Sequence, residues 1–385
     1  MHIHPANRIS EVKEYYFSKK LREIDQMRQQ GIDIINLGIG NPDRPPHAEV
    51  LETLHQTSSD LSNHGYQSYI GVVELRNAFA QWYKTYFKVD LNPTNEILPL
   101  IGSKEGIMHV SMAFLNPGDQ VLVPDPGYPT YASVSNLVEA EMISYDLEEH
   151  LNWQPDFDKL EAMDLSKVKI MWVNYPNMPT GANATLELFE KLVRFGKKHN
   201  ILICNDNPYS FILNDNPLSI FRIEGAKDIC IELNSLSKSH NMAGWRVGMV
   251  AAAPEYIQYI IRVKSNMDSG MFKPLQLAAA KALSLDKEWY KEVNRGYLER
   301  RELAWQIMDM LGCTYSKNQS GMFVWAKIPA HIESSEKLSD EILNNARVFI
   351  TPGSIFGNQG NRYIRISLCS SMEVLKESIQ RIKQN

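Results

Sequence analysis

What most constrains the fold of this chain is a repeated local pattern: a short apolar run, a polar loop shaped by Gly or Pro, then a helix. Ile97 to Ile101 runs into Gly102-Ser103-Lys104-Glu105-Gly106, and Ile107, Val110 and Phe114 follow at helical spacing. Gln120-Val121-Leu122-Val123 empties into Asp125-Pro126-Gly127-Tyr128-Pro129-Thr130-Tyr131. Val168 to Asn174 ends in Tyr175-Pro176-Asn177-Met178-Pro179-Thr180-Gly181, and Ile201 to Asn205 ends in Asp206-Asn207-Pro208-Tyr209. Short apolar, β-rich runs bounded by turn residues read as buried strands. Four such strand ends in succession, alternating with helices, predict an α/β chain: a mostly parallel, doubly wound sheet with helices on both faces. Open sheets of this kind bind ligands at the carboxyl ends of their strands. The loops lack GxGxxG and GxxxxGK[ST], so neither a dinucleotide fold nor a nucleotide P-loop is supported.

With 385 residues the chain can bury a large core and hold two or three domains. Its formal charge of -5 leaves no basic footprint for nucleic acid. No apolar run approaches the roughly 18–20 residues of a membrane span; Val247 to Ala253 stops at Pro254. The opening Met1-His2-Ile3-His4-Pro5 has no charged-then-apolar signal architecture, and a cytoplasmic protein is expected. Cys204, Cys230, Cys313 and Cys369 are far apart and form no CxxC pair, so buried reduced thiols are expected. His2 and His4 have no acidic or Cys neighbour and read as a tail; no metal is expected.

The apolar run Ile229-Cys230-Ile231-Glu232-Leu233 leads into Asn234-Ser235-Leu236-Ser237-Lys238, with Gly244-Trp245-Arg246-Val247-Gly248 beyond. A lysine that attacks a carbonyl must be partly neutral, hence desolvated or close to another cation. An arginine eight residues on would depress the Lys238 pKa and hold an anionic ligand. The spacing reads as a Schiff-base lysine beside a phosphate-binding arginine; a surface loop after a strand is the other reading. Gly102-Ser103-Lys104 at a helix start can aim backbone N–H groups and the positive helix end at an anion, or Ser103 can be a plain N-cap. Tyr128 offers a stacking face for a flat ring or a packing wedge. Tyr66 and Tyr69 precede a helix carrying Leu75, Phe79, Trp82 and Tyr83 on one face; pattern alone favours packing. Asp206 at the end of a buried strand is costly unless paired.

At the N-terminus, helical spacing from Ala6 to Gln30 (Val12, Tyr15 or Tyr16, Ile24, Met27) closes at Gly31. A short strand from Ile34 then enters the Gly38-Ile39-Gly40-Asn41-Pro42 loop. Toward the C-terminus the organisation changes: a long helix from Asp286 to Leu311, short strands at Met322–Lys327 and Val348–Ile350 around a helix at Glu336–Asn345, and a last helix, Glu373 to Lys383. Tyr363 to Leu368 alternates, with Ile364, Ile366 and Leu368 on one face and Arg365 on the other, either solvated or offering a fork to a carboxylate. A smaller α+β unit is expected, built from the C-terminal segment and the N-terminal arm: arm 1–45, large domain 46–285, small domain 286–385.

Taken together, these motifs resemble the class I/II aminotransferases, pyridoxal-phosphate enzymes of the aspartate aminotransferase fold (fold type I), from about Asn36 to Ser370. The resemblance implies that Lys238 bonds covalently to the cofactor and that Arg246, Ser235, Ser237, Ser103 and Lys104 surround its phosphate. It implies that Tyr66 reaches the phosphate of the neighbouring subunit, so that a homodimer shares its active sites. Tyr128 would stack on the ring, Asp206 face the pyridine nitrogen and Tyr209 the ring oxygen. Arg365 would grip the substrate α-carboxylate, and Gly40 would line the pocket. The family usually has Asn-Pro-Thr-Gly where this chain has Met178-Pro179-Thr180-Gly181, and methionine cannot donate to the ring oxygen. That contact falls to Asn177 or Asn174. Pro208 is a second departure and bears on where Tyr209 sits. The implied activity is transfer of an amino group between an amino acid and a 2-oxo acid such as 2-oxoglutarate, an EC 2.6.1 transferase of amino acid metabolism. Leu37 to Asp43, the Tyr66-x-Ser68-Tyr69-x-Gly71 loop and Ser265 to Gly270 look most like the LL-diaminopimelate aminotransferase branch. Carbon–sulfur lyases and decarboxylases share the fold and lysine, and a ligand-sensing module of a regulator is a further class.

Overall fold

In the computed structural model, residues 3–10 and 16–384 are described. The strands, in chain order, are β1 (Ile35–Asn36), β2 (Ile97–Leu100), β3 (Gln120–Asp125), β4 (Glu141–Asp146), β5 (Val168–Val173), β6 (Leu202–Asp206), β7 (Cys230–Ser235), β8 (Gly248–Ala251), β9 (Phe323–Lys327), β10 (Val348–Phe349), β11 (Thr351–Pro352) and β12 (Tyr363–Ser367). Seven of them form one sheet in the order β2-β8-β7-β6-β5-β3-β4. Every pairing from β4 through β7 is parallel, and β8 runs antiparallel to both of its neighbours.

Both faces of this sheet are covered, which is why its strands read as continuous apolar runs rather than alternating ones. Successive side chains nevertheless divide between two cores: Ile203 of β6 and Met171 of β5 belong to one, and Leu202, Cys204, Ile170 and Trp172 to the other. The helix Val73–Trp82 buries Leu75, Phe79 and Trp82 as its spacing requires. All four cysteines are buried free thiols.

Two strands of the large sheet escape the sequence pattern. β4 is an edge strand whose side chains are mostly exposed, so Glu141-Met142-Ile143-Ser144-Tyr145-Asp146 carries no buried run. β8 lies in the apolar run Val247 to Ala253, which the sequence pattern assigns to no element, and its antiparallel pairing with β7 and β2 makes it a strand. The N-terminal pattern resolves into the helices Asn7–Ser10 and Tyr16–Gln29; Val12 and Tyr15 lie outside the described residues. Gly31 ends the second helix with φ +84°, its N–H bonded to Arg28 O at 2.9 Å.

β1 pairs in parallel with β10, so the N-terminal arm joins the C-terminal segment. β9, β11 and β12 form a second, antiparallel sheet. The alternation at Tyr363–Leu368 leaves the Arg365 face either solvated or paired; β12 lies between β9 and β11 and is buried on both faces, with Arg365 only 4% exposed. A bidentate Asp43–Arg300 pair, 2.7 and 2.8 Å, ties the N-terminal loop to the long helix Lys287–Met310. Among the described residues no helix is long and apolar enough to cross a membrane.

Candidate active site

At the carboxyl ends of β3, β5, β6 and β7 lies a cavity of about 700 Å³. Its wall contains Gly40, Ser103, Lys104, Tyr128, Asp206, Tyr209, Ser235, Ser237, Lys238, Arg246 and Arg365, drawn from across the chain. Strand-end geometry explains the convergence. Asp206 and Ser235 are the last residues of β6 and β7, which lie side by side, and each loop opens toward the same edge.

One end of the cavity is built for an anion. The helix Ser103–Phe114 starts there with Gly102 as its N-cap, and no side chain caps it, so Ser103 is a first-turn residue rather than the cap. First-turn N–H groups have no partner within a helix and favour negative charge. Gly102 has φ +80°, and a Cβ there would come within 2.0 Å of Arg246 Nη2. The guanidinium therefore occupies space that exists because residue 102 is glycine. Gly248 plays the same part on the other side, where a Cβ would meet Ser103 N at 2.7 Å. Arg246 itself adopts the left-handed conformation, φ +55°. Its Nη1 donates to Ser237 Oγ at 3.4 Å and to Ala243 O at 3.0 Å, while Ser235 Oγ donates to Ser237 Oγ at 2.9 Å. Two hydroxyls, an arginine and a helix N-terminus make a phosphate-shaped donor set.

The middle of the cavity suits a flat cationic heterocycle. Asp206 is 5% exposed; Tyr131 Oη donates to its Oδ2 at 3.0 Å, and its Oδ1 has no partner among the described residues. Burial pushes this carboxyl up to about 7, with the Tyr131 hydrogen bond pulling the other way. A lone buried carboxylate oxygen asks for a positively charged N–H. Tyr131 is held by a parallel stack on Trp172, 5.1 Å apart, and meets Tyr128 edge to face at 5.7 Å. Tyr209 lies in the same wall, and burial pushes its phenol up.

Lys238 Nζ donates to Gly40 O at 2.6 Å. Burial pushes its pKa down, Arg365 and Arg246 push the same way, and Cys369 pushes it up. At the far end, Arg365 lies between the rings of Phe323, 3.8 Å, and Phe356, 4.5 Å, and its Nη2 donates to Gly38 O at 2.9 Å. A Cβ on Gly40 would meet Phe323 Cζ at 2.3 Å, so this glycine lets the N-terminal loop close against the site.

Two of the expected residues stand apart from the wall. Asn177 is buried outside it, its Oδ1 accepting from Thr180 Oγ1 at 2.7 Å; Asn174 is the asparagine that lines the cavity. Asn174 Oδ1 accepts from Met178 N at 2.7 Å and its Nδ2 donates to Asp206 O at 2.5 Å, which locks it beside the aspartate. Tyr66 is 94% exposed, in a segment packed against residues 269–272. Sequence reasoning also passed over Tyr131, Phe323 and Phe356. For Tyr131 a signal existed, since it closes the same Gly/Pro-shaped strand-end loop that carries Tyr128. Phe323 and Phe356 carried none, because nothing local marks a ring that will flank a distant arginine. Among the described residues, Glu105, His109 and Asp268 could group around a metal, but Lys264 Nζ already lies 2.7 Å from both Asp268 oxygens.

A family model described as aminotransferase class I and II matches residues 32–382. The LL-diaminopimelate aminotransferases of Aquifex aeolicus and Maridesulfovibrio salexigens are similar to this chain, 39% and 40% identical over 380 and 382 residues, each match covering 98% of both proteins. Among solved structures, apo-BacF from Bacillus subtilis is 38% identical with a TM-score of 0.95, covering 100% of this chain and 98% of that one.

Proposed function

The chain belongs to the class I and II aminotransferases, and from that premise we propose a residue-by-residue reading of its site and a substrate. Its activity is pyridoxal-phosphate-dependent transfer of an amino group between an amino acid and a 2-oxo acid. The observation that carries the site assignment is the buried Asp206 Oδ1 without a partner, beside an anion cup and an enclosed lysine. When bound, pyridoxal phosphate supplies an electron-withdrawing ring that stabilises negative charge at the substrate α-carbon and carries the amino group between half-reactions.

In this reading Ser103, Lys104, Ser235, Ser237 and Arg246 hold the phosphate, and Tyr128 covers one ring face. Asp206 Oδ1 keeps a proton on the pyridine nitrogen; Tyr209 and Asn174 serve the ring oxygen. Arg365 would bind the α-carboxylate and so orient the substrate in the cavity. Lys238 Nζ, whose charged form burial disfavours, would remove the α-proton and return it. Gly40 O receives the lysine when it carries a proton. The division at residues 45 and 285 and a cytoplasmic location belong to the same proposal, supported by the β1–β10 pairing and the free buried cysteines.

We place LL-diaminopimelate as amino donor, because relatives bearing that name match nearly end to end, and pair it with 2-oxoglutarate as acceptor. A different amino acid is the second reading, because solved structures named as an aromatic aminotransferase and an alanine aminotransferase share the fold at 29% and 25% identity. Steady-state assays with 2-oxoglutarate should give a kcat/KM for LL-diaminopimelate at least about tenfold above those for other amino acids. A higher value for an aromatic or aliphatic donor would overturn the substrate but not the reaction class. Pyruvate and ammonia from one amino acid alone would speak for lyase chemistry.

A homodimer with shared sites completes the reading. Leu61 and Tyr66 are 88% and 94% exposed, and Met267 and Phe272 lie in the exposed segment following Lys264, an apolar surface of the kind that pairs subunits. Lys238→Ala and Tyr66→Ala proteins, each impaired alone, should regain about a quarter of wild-type activity when their subunits are exchanged. Random assortment makes half the dimers hybrid, each with one intact site. No recovery from subunits shown to have exchanged would rule out a shared site.

A further inference from the structure

We propose that Met178 is a positioning residue for the substrate-carboxylate arginine: its thioether locks the rotation of the Arg365 guanidinium. The inference rests on the reading of Arg365 given above, and concerns the position where this chain departs from its family. Met178 is 6% exposed and lines the cavity, and Arg365 Nη1 donates to its Sδ at 3.1 Å.

The backbone that presents this sulfur is pinned. Met178 N donates to Asn174 Oδ1 at 2.7 Å, Asn177 N to Ala182 O at 2.7 Å, and Gly181 N to Asn177 O at 2.8 Å. A Cβ on Gly181 would meet Gln319 Cβ at 2.7 Å, so the loop is also pressed against the C-terminal segment. The rings of Phe323 and Phe356 also hold the guanidinium, their centroids 3.8 and 4.5 Å from its central carbon. Two edge contacts bear on its rotation, Nη2 to Gly38 O at 2.9 Å and Nη1 to Met178 Sδ at 3.1 Å. Each terminal nitrogen carries two N–H groups, so edge acceptors do not consume the fork. A carboxylate therefore meets a fork already held at its edges and against two rings, which lowers the ordering cost of binding. Sulfur is a weak, polarisable acceptor. It holds the arginine without rivalling a carboxylate for it.

Packing and polarity are separable here. Met178→Leu keeps volume and removes the acceptor, whereas Met178→Gln keeps both reach and an acceptor. With carboxylate-bearing amino acids, Met178→Leu should raise KM about tenfold with kcat within about twofold, and Met178→Gln should restore most of the loss. The dissociation constant of a 2-methyl amino acid, which has no α-proton to lose, should follow the same order in equilibrium absorbance titrations. Reaction with a primary amine lacking a carboxylate should be unaffected by either change. Arg365→Lys is measured in parallel. If it leaves KM unchanged, the assignment of Arg365 fails. If it raises KM while Met178→Leu does not, or Met178→Gln fails to restore binding, the role of Met178 is overturned.

Discussion

Replacing Lys238 by alanine is expected to abolish transamination, lowering kcat by roughly 10⁴-fold, the upper range for loss of a positioned general base. The absorbance band of lysine-bound cofactor should disappear, because alanine offers no amine to the aldehyde. Folding should survive. Burial disfavours the charged amine, so its removal does not strip the core of a stabilising group, and the hydrogen bond lost is one to Gly40 O at the cavity wall. Lys238→Arg is the sharper control, since it keeps a cation that cannot release its proton near neutral pH. A Lys238→Ala protein with the normal band, or with kcat within tenfold of wild type, would show that another amine does the chemistry.

Asp206→Asn should be nearly as damaging to turnover, by roughly a hundred- to a thousandfold, as expected when one preorganised charge contact is lost from a buried site. An amide of the same shape cannot keep a pyridine nitrogen protonated. The same variant tests the electrostatics without turnover. In the folded protein burial holds the Asp206 carboxyl at about 7 against an ordinary 3.8. The folded state therefore grips this proton more tightly than the unfolded chain. Its contribution to stability is fully present below pH about 4 and is lost as pH rises through about 7. Over that span the loss amounts to about 4 kcal/mol, at 1.36 kcal/mol per unit. Cofactor-free Asp206→Asn should thus gain in melting temperature relative to cofactor-free wild type as pH rises from 5 to 8. Pyridoxal phosphate should erase that advantage by placing a cation beside the wild-type carboxylate. A melting-temperature difference independent of pH, or unmoved by the cofactor, would mean that Asp206 does not face the ring nitrogen.

Much of this site was legible because strand ends advertise themselves. Gly102-Ser103-Lys104, Tyr128, Asp206 and Lys238 each terminate a local pattern that a strand, a turn and a helix start impose on the residues around them. Their common destination follows from parallel pairing, which places every carboxyl end on one edge. Asn174 and Asn177 could not be separated in the same way. They lie three residues apart in one polar loop, and which of them enters the wall depends on how the turn folds: Thr180 takes the Asn177 carbonyl, and Asp206 O takes the Asn174 amide. β4 was invisible because an edge strand need not bury its side chains.

Taken by itself, the sequence determined the alternating architecture, the order of the site-bearing loops and the chemistry each could offer. Those properties are local, set by apolar period, turn residues and side-chain type. Only the tertiary structure decided what surrounds Arg365. Alternation along β12 allowed either a solvated or a paired arginine. Its burial comes from β9 and β11 on either side, from Phe323 and Phe356 against its faces, and from Gly38 and Met178 at its edges. Those partners lie up to 327 residues away in the chain. No local pattern records such contacts, because they exist only once the two ends of the chain have been folded onto one sheet edge.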